Sequence, residues 1–316
     1  MEYHPDGFVN RCGASAYLSF LLAFLAAGCG DNLQTNTIAV TLSPPRDLKA
    51  YSAGDATVNL TWSASPDAVE PTFLGYIVGV GGVEDSVSSS SLSHLAEFLS
   101  AGTKTFSVFS YRSDGPRSSG TTIRWAAASR FDTPTVLMES TLQDPTHLSG
   151  LNVGSQSTDP AAFPLEPIDS SVINLMDMYL FGGSGQISAP LAFWSAHWLL
   201  GTLKQSKFST VSHSSTSLDY PLASFPGISS FVRDTVAISD NTIYYVKIQG
   251  DNLDTLYARI HVRIVPGLVF PNRAVEIRIS LQRVPGVLFA NSSEKGILRR
   301  RNLQTILSDH NHNSQS

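Results

Sequence analysis

The sequence predicts an all-β protein, in which a sandwich domain is followed by a second, larger β-rich domain. The first observation is alternation: Val58, Leu60 and Trp62 alternate with polar residues, which puts three apolar side chains on one face of a strand. The second is that such runs recur at short intervals with turn residues between them, a pattern typical of β-sandwiches. The third is that alternation returns late in the chain, at residues 257–264 and 275–281.

The strands of the first domain are predicted from residue 44 to residue 128. A turn at residues 52–55 precedes the alternating run 58–62, and Ser65-Pro66-Asp67 ends it. Three further runs rich in aromatic and β-branched residues follow, at residues 73–78, 106–108 and 121–125.

These segments resemble a fibronectin type III domain. The resemblance rests on Pro44-Pro45-Arg46-Asp47-Leu48, the run ending in Trp62, Gly75-Tyr76-Ile77-Val78, and the turn at residues 113–116. It implies that Trp62 and Tyr76 form the structural core, and that the domain is a spacer or adhesive module. The leucine–proline–tyrosine corner of that family is not matched at residues 98–104, so we expect this end of the sandwich to be looser.

The second domain is predicted at residues 129–290, after a linker at residues 131–134. Strands are expected at residues 173–181, 235–249, 256–265 and 275–281. In the third of these, Arg259, His261 and Arg263 share one face and apolar residues share the other. Residues 189–200 are compatible with a buried helix or a strand, because their periodicity does not decide between the two.

Two strands of the second domain resemble the late strands of HmuY-like lipoproteins, which are β-sandwich haem-binding proteins. The residues concerned are Tyr244-Tyr245-Val246-Lys247-Ile248 and the run that starts at Tyr257-Ala258-Arg259-Ile260. In that family two histidines bind the haem iron. No residue of this chain matches those two histidines position by position. His197 and His261 are candidate ligand-binding residues of the second domain, with haem as the cofactor that the resemblance implies; apart from it we predict no cofactor.

Composition argues against several classes of function. The 316-residue chain has a formal net charge of −5, which disfavours nucleic acid as the main partner. Its two cysteines are Cys12 and Cys29, so a cysteine-ligated zinc site and a cysteine nucleophile are not expected in the mature chain. The histidines show no metal-ligand spacing, and no nucleophile elbow or phosphate loop occurs. We therefore predict no metal, no catalytic residue and no enzyme.

The N-terminal residues resemble the leader of a bacterial lipoprotein. An apolar run over residues 17–27 leads into Ala26-Ala27-Gly28-Cys29, which is similar to a lipobox. The resemblance implies that residues 1–28 are a signal peptide and that Cys29 receives acyl chains such as palmitate. Ala26 stands where that family prefers leucine, and the region before the apolar run is acidic, so translation from Val9 is an alternative start.

The predicted function is that of an envelope-anchored lipoprotein with a non-catalytic binding, adhesion or structural role. Residues 29–43 are a predicted tether, and residues 291–316 a polar tail. Gly30 after the modified cysteine fits delivery to the outer membrane. The expected partners are the membrane, through Cys29, and another surface protein or a polysaccharide.

Haem capture is the first alternative function, and a carbohydrate-active enzyme is the second; the latter would need paired carboxylates. Candidate pairs are Asp251 with Asp254, Asp234 with Asp240, and Glu166 with Asp169.

Overall fold

The fold was obtained as a computed structural model that describes residues 41–113, 115–139, 147–164, 175–181, 186–188, 206–249, 254–268 and 273–289. These residues form eighteen strands in four antiparallel sheets, and none of them lies in an α-helix. The predicted all-β fold class is confirmed. The predicted signal peptide, the tether up to residue 40, residues 189–200 and the polar tail lie outside the described residues.

The first sandwich consists of a three-stranded sheet, in the order β1-β2-β5, and a four-stranded sheet, in the order β4-β3-β6-β7. Its strands are β1 (Arg46–Gly54), β2 (Thr57–Ser63), β3 (Phe73–Val80), β4 (Val83–Ser88), β5 (Ser93–Ala96), β6 (Thr103–Arg112) and β7 (Thr121–Ala126).

The core of this sandwich forms because one face of each inner strand is apolar. In β2, Val58, Leu60 and Trp62 are buried, whereas the residues between them are half-buried. The ring of Trp62 packs edge-on against Tyr76, with ring centroids 5.5 Å apart. The hydroxyl of Tyr76 also accepts a hydrogen bond from the backbone N–H of Ser65, at 3.2 Å.

The second sandwich is larger and pairs a six-stranded sheet with a five-stranded one. The six-stranded order is β14-β13-β16-β17-β18-β8, and the five-stranded order is β10-β9-β11-β12-β15. The strands are β8 (Ser129–Met138), β9 (Leu148–Asn152), β10 (Ala161–Pro164), β11 (Met178–Phe181), β12 (Gln186–Ser188), β13 (Lys207–Ser214), β14 (Phe231–Arg233), β15 (Thr235–Ala237), β16 (Thr242–Gln249), β17 (Thr255–Ile264) and β18 (Ala274–Gln282).

The linker predicted at residues 131–134 is wrong, because this segment is the middle of β8. Phe131 lies opposite Ile279 of β18, and Arg278 donates a hydrogen bond to the Asp132 carbonyl at 3.0 Å. Pro134 is compatible with a strand here because β8 is the last strand of its sheet, where a residue without an N–H group costs no ladder hydrogen bond. Proline and aspartate in this segment therefore mark a sheet edge.

Two buried apolar clusters organise the structure from Leu42 onward, which belongs to one compact unit. One cluster fills the space between the six-stranded and five-stranded sheets. The other fills the first sandwich and continues into residues of the second without interruption. The second sandwich contributes Leu222, Phe225, Phe231, Ile243, Tyr245, Tyr257 and Phe289 to this shared cluster.

Candidate functional site

The two faces of β17 have different environments. Ala258, Ile260 and Val262 point into the core of the second sandwich. On the opposite face, Arg259 and His261 are also fully buried, although this is the outer face of the six-stranded sheet. The predicted division of this strand into an apolar and a basic face is confirmed, and both faces are covered except at Arg263, which is exposed.

The outer face is covered by the connection between β13 and β14, residues 215–230, which we call the strap. Leu222 of the strap pairs with Ala50 of β1 through two backbone hydrogen bonds, each 2.9 Å long. Phe225 stacks on Phe289 with ring centroids 4.9 Å apart and meets Tyr245 edge-on at 5.2 Å. The strap therefore adds a bridge to a sheet of the first sandwich while it packs on the second.

The chain segment that joins the sandwiches is fixed in the same region by side-chain hydrogen bonds. Trp125 donates its indole N–H to the Ser52 hydroxyl at 3.0 Å, and that hydroxyl donates to the Ala126 carbonyl at 2.9 Å. The next residue, Ala127, accepts a 2.9 Å hydrogen bond from the Gln282 amide at the end of β18. We call this region, with the strap and the shared aromatic cluster, the junction.

Arg259 is a fully buried cation at the centre of the junction. Its Nη2 donates to the Tyr220 carbonyl at 2.8 Å, and its Nε has no hydrogen-bond partner within the described residues. No carboxylate of the described residues forms an ion pair with it. Loss of hydration lowers the pKa of Arg259 to about 10, so the side chain is charged at neutral pH and costs solvation energy.

A second arginine ties the strap to β8. The guanidinium of Arg130 contacts Asp219 at 2.5 Å and Asp132 at 2.6 Å. Burial alone would lower the pKa of Arg130, but the two carboxylates outweigh it and the net shift is upward. Asp219 and Asp132 are therefore both engaged by Arg130.

Two histidines lie beneath and beside the strap. His213 on β13 is within 2.8 Å of the Tyr245 hydroxyl through Nδ1, and its ring lies 4.9 Å from that of Tyr220. His261 on β17 bonds the Ser215 carbonyl through Nε2 at 2.9 Å. Burial lowers the pKa of both histidines, so both are neutral at pH 7.

A shallow pocket of about 410 Å³ opens where the strap, β1 and β13 meet. Its wall includes Lys49 of β1, His213 of β13, and Tyr220 and Phe225 of the strap. The pocket thus combines a surface ammonium group, an imidazole and aromatic rings.

The residues that the sequence singled out are not gathered into one site. Trp62 and Tyr76 lie in the first core, and His261 lies under the strap with Nε2 engaged. Cys29 and His197 lie outside the described residues. Their roles in lipidation and ligand binding stay predictions.

Of the three proposed carboxylate pairs, only Asp234 with Asp240 is fully described, and its members have separate partners. Asp234 forms an ion pair with Lys207. Asp240 accepts a hydrogen bond from the Ile264 backbone N–H at 2.8 Å. Asp254 is described and is in contact with Gln156, whereas Asp251, Glu166 and Asp169 lie outside the described residues.

The described residues lack two features that would point to a particular function. No group of three or more histidine, cysteine, aspartate or glutamate residues is placed to hold a metal ion. Nor does this part of the chain include a helix with the length and apolar character needed to cross a bilayer.

Comparison with known proteins assigns no family to this chain. No family model matches the chain, and no curated protein matches it. Among solved structures, it is similar to the central fibronectin III array of RIM-binding protein, with 15% sequence identity and a TM-score of 0.25. The match covers 72% of this chain and 71% of the other.

Proposed function

We propose that this protein is a non-catalytic module of the bacterial cell envelope, anchored through Cys29, in which two β-sandwiches act as one rigid body. Its role is to hold the binding surfaces of the two sandwiches in one fixed arrangement. The junction carries this proposal. Domains that meet through a small polar interface move relative to each other, whereas a large apolar interface holds them in one arrangement.

The rigidity follows from the kinds of contact at the junction. Phe225, Tyr257 and Phe289 are buried in an apolar cluster that both sandwiches share. The pairing of Ala50 with Leu222 adds backbone hydrogen bonds, which fix the relative orientation as well as the distance. A change of angle between the sandwiches would expose the rings and break these bonds together.

Pulsed electron paramagnetic resonance tests the rigidity directly. Spin labels on Ser86→Cys in β4 and Val232→Cys in β14, in a chain whose Cys12 and Cys29 are serine, report the distance between the sandwiches. Both positions are exposed, so the labels leave the cores intact. We expect one narrow distance distribution. A broad or multiple distribution would mean that the sandwiches move independently and would contradict the proposal.

The anchor is tested by changing each cysteine alone and fractionating the cells. Cys29→Ser should release the protein from the membrane fraction, since stable attachment depends on the acyl chains. Cys12→Ser is the matched control, because it removes the other cysteine and should leave attachment and globomycin-sensitive processing unchanged. Full membrane retention of the Cys29→Ser protein would show that the anchor lies elsewhere.

Haem capture through His197 and His261 stays a prediction that a hemin titration of the full chain tests. His261 is fully buried, so haem could reach it only after the strap that covers it is displaced. A shifted Soret band that is lost in His261→Ala would favour haem capture over the structural role. A featureless titration would leave the rigid module as the better description.

A further inference from the structure

The pocket beside the strap shares wall residues with the junction. We propose that it binds an acidic saccharide, a sugar unit that carries a carboxylate group. This inference rests on the proposed role as a surface binding module and names the class of ligand. The pocket's volume of about 410 Å³ lies in the range of small-molecule sites.

Charge is the first reason for an anionic ligand. Lys49 is exposed at the pocket wall and forms no ion pair within the described residues. Behind the wall, Arg259 bonds the carbonyl of Tyr220, itself a wall residue. The nearby carboxylates of Asp219 and Asp132 are both engaged by Arg130. Lys49, Arg259 and Arg130 carry three positive charges and the two carboxylates carry two negative ones, so one positive charge is in excess around the pocket, which favours an anion.

The second reason is a hydrogen-bond donor on His213. The Tyr245 hydroxyl is buried, and among the described residues Nδ1 of His213 is its one hydrogen-bond partner. Burial raises the pKa of Tyr245, so the hydroxyl keeps its hydrogen and donates it to Nδ1. A neutral imidazole that accepts at Nδ1 carries its hydrogen on Nε2. His213 therefore offers an N–H group from the pocket wall.

The aromatic part of the wall suits the apolar face of a sugar ring. Tyr220 is half-buried, its backbone carbonyl accepts from Arg259, and its ring packs on that of His213 with ring centroids 4.9 Å apart. Val211 and Pro226 extend the apolar surface around it. A pyranose can bury C–H groups on this surface while its carboxylate reaches Lys49, and little conformational entropy is lost.

An acidic peptide is less well matched to this pocket. Peptides commonly bind by adding a strand to a free sheet edge, where backbone groups supply the affinity. Here the strap already occupies the edge of β1 at Ala50, through both of its backbone hydrogen bonds. What remains accessible is side chains on a shallow surface, which fits a compact cyclic ligand better than an extended chain.

The test uses the full chain in detergent and isothermal titration calorimetry with three acidic probes: trigalacturonic acid, a hyaluronan tetrasaccharide and sialyllactose. The methyl ester of trigalacturonic acid is the uncharged control ligand. We expect at least one acidic probe to bind. If trigalacturonic acid is among the binders, its methyl ester should bind about tenfold more weakly or not at all, because the ester cannot form the charge-assisted hydrogen bond. Tyr220→Leu should weaken binding of any such probe by about threefold.

The control variant is Lys104→Gln, which removes an exposed lysine of the first sandwich that does not line the pocket. Lys49→Gln should weaken binding about tenfold, and Lys104→Gln should leave it unchanged. Equal effects of the two lysine changes would overturn the proposal, as would failure of all three acidic probes. Binding of a hexa-aspartate peptide in place of the sugars would overturn it in favour of a peptide site. These outcomes leave the anchoring and spin-label results untouched, so the two proposals fail separately.

Discussion

Replacing Phe225 by alanine tests whether the junction makes the two sandwiches one cooperative unit. Phe225 is buried at the centre of the junction, and its ring meets those of Phe231, Tyr245, Tyr257 and Phe289. The alanine variant keeps the strap backbone and removes only the ring. Its effect should therefore fall on the coupling between the sandwiches rather than on either core.

The magnitude follows from the loss of a buried ring. A buried phenylalanine truncated to alanine costs about 3–5 kcal/mol, from lost transfer free energy and the cavity left behind. For a folded unit of this size, that corresponds to a decrease of roughly 10 °C in the melting temperature. Because the loss is at the junction, each sandwich keeps its own core and should unfold in its own transition.

Differential scanning calorimetry of the full chain separates the two outcomes. The wild-type protein should show one transition, and Phe225→Ala should show two. Phe106→Ala is the matched control, because Phe106 is equally buried but lies on β6, in the core of the first sandwich. A single transition for Phe225→Ala, shifted as far as that of Phe106→Ala, would show that the strap does not couple the sandwiches.

Three further predictions concern single groups. Arg259→Met should leave the free energy of unfolding in urea unchanged or raise it by about 1–2 kcal/mol. The reason is that a pKa lowered to about 10 reflects roughly 3 kcal/mol of lost hydration of the buried cation. A decrease of more than about 1 kcal/mol in the free energy of unfolding would contradict this. The neutral rings of His213, half-buried, and His261, fully buried, have pKa values below the ordinary histidine value. The unfolded chain therefore binds more protons below about pH 6.5, and the melting temperature should fall between pH 7 and pH 5. An unchanged melting temperature would show that the rings titrate normally. Gly75→Ala should lower the free energy of unfolding by roughly 2–4 kcal/mol, because its φ is +152° and a Cβ would lie 2.1 Å from a backbone carbonyl oxygen. Gly79→Ala on the same strand is the control, because a Cβ there would lie 3.7 Å from the nearest atom. It should lower the free energy of unfolding much less in the same urea titration.

The local patterns of the first sandwich could be predicted because period-two alternation depends only on which face of a strand is buried. Val58, Leu60 and Trp62 show this pattern clearly, and β2 contains all three. The segment around Pro134 misled the prediction. A proline signals a break in the interior of a sheet but is tolerated at an edge, and whether a strand is at an edge depends on partners far away in sequence.

The junction could not be predicted because its contacts join residues far apart in sequence. The strap has no hydrophobic period of its own, and its pairing partner Ala50 lies in the first sandwich. The basic face of β17 was visible as alternation, but its burial depends on the strap that covers it. The alternation alone therefore did not predict that Arg259 is buried.

The short connection between the sandwiches determines how the junction recovers after it opens. β7 ends at Ala126 and β8 begins at Ser129, so two residues separate the strands. Even fully stretched, the Cα atoms of Ala126 and Ser129 can separate by only about 11 Å. The detached surfaces would therefore stay at a high effective concentration, and reassociation would be a fast unimolecular step. A proteolytic nick at Ala127 or Ala128 would remove this advantage and make reassociation depend on protein concentration.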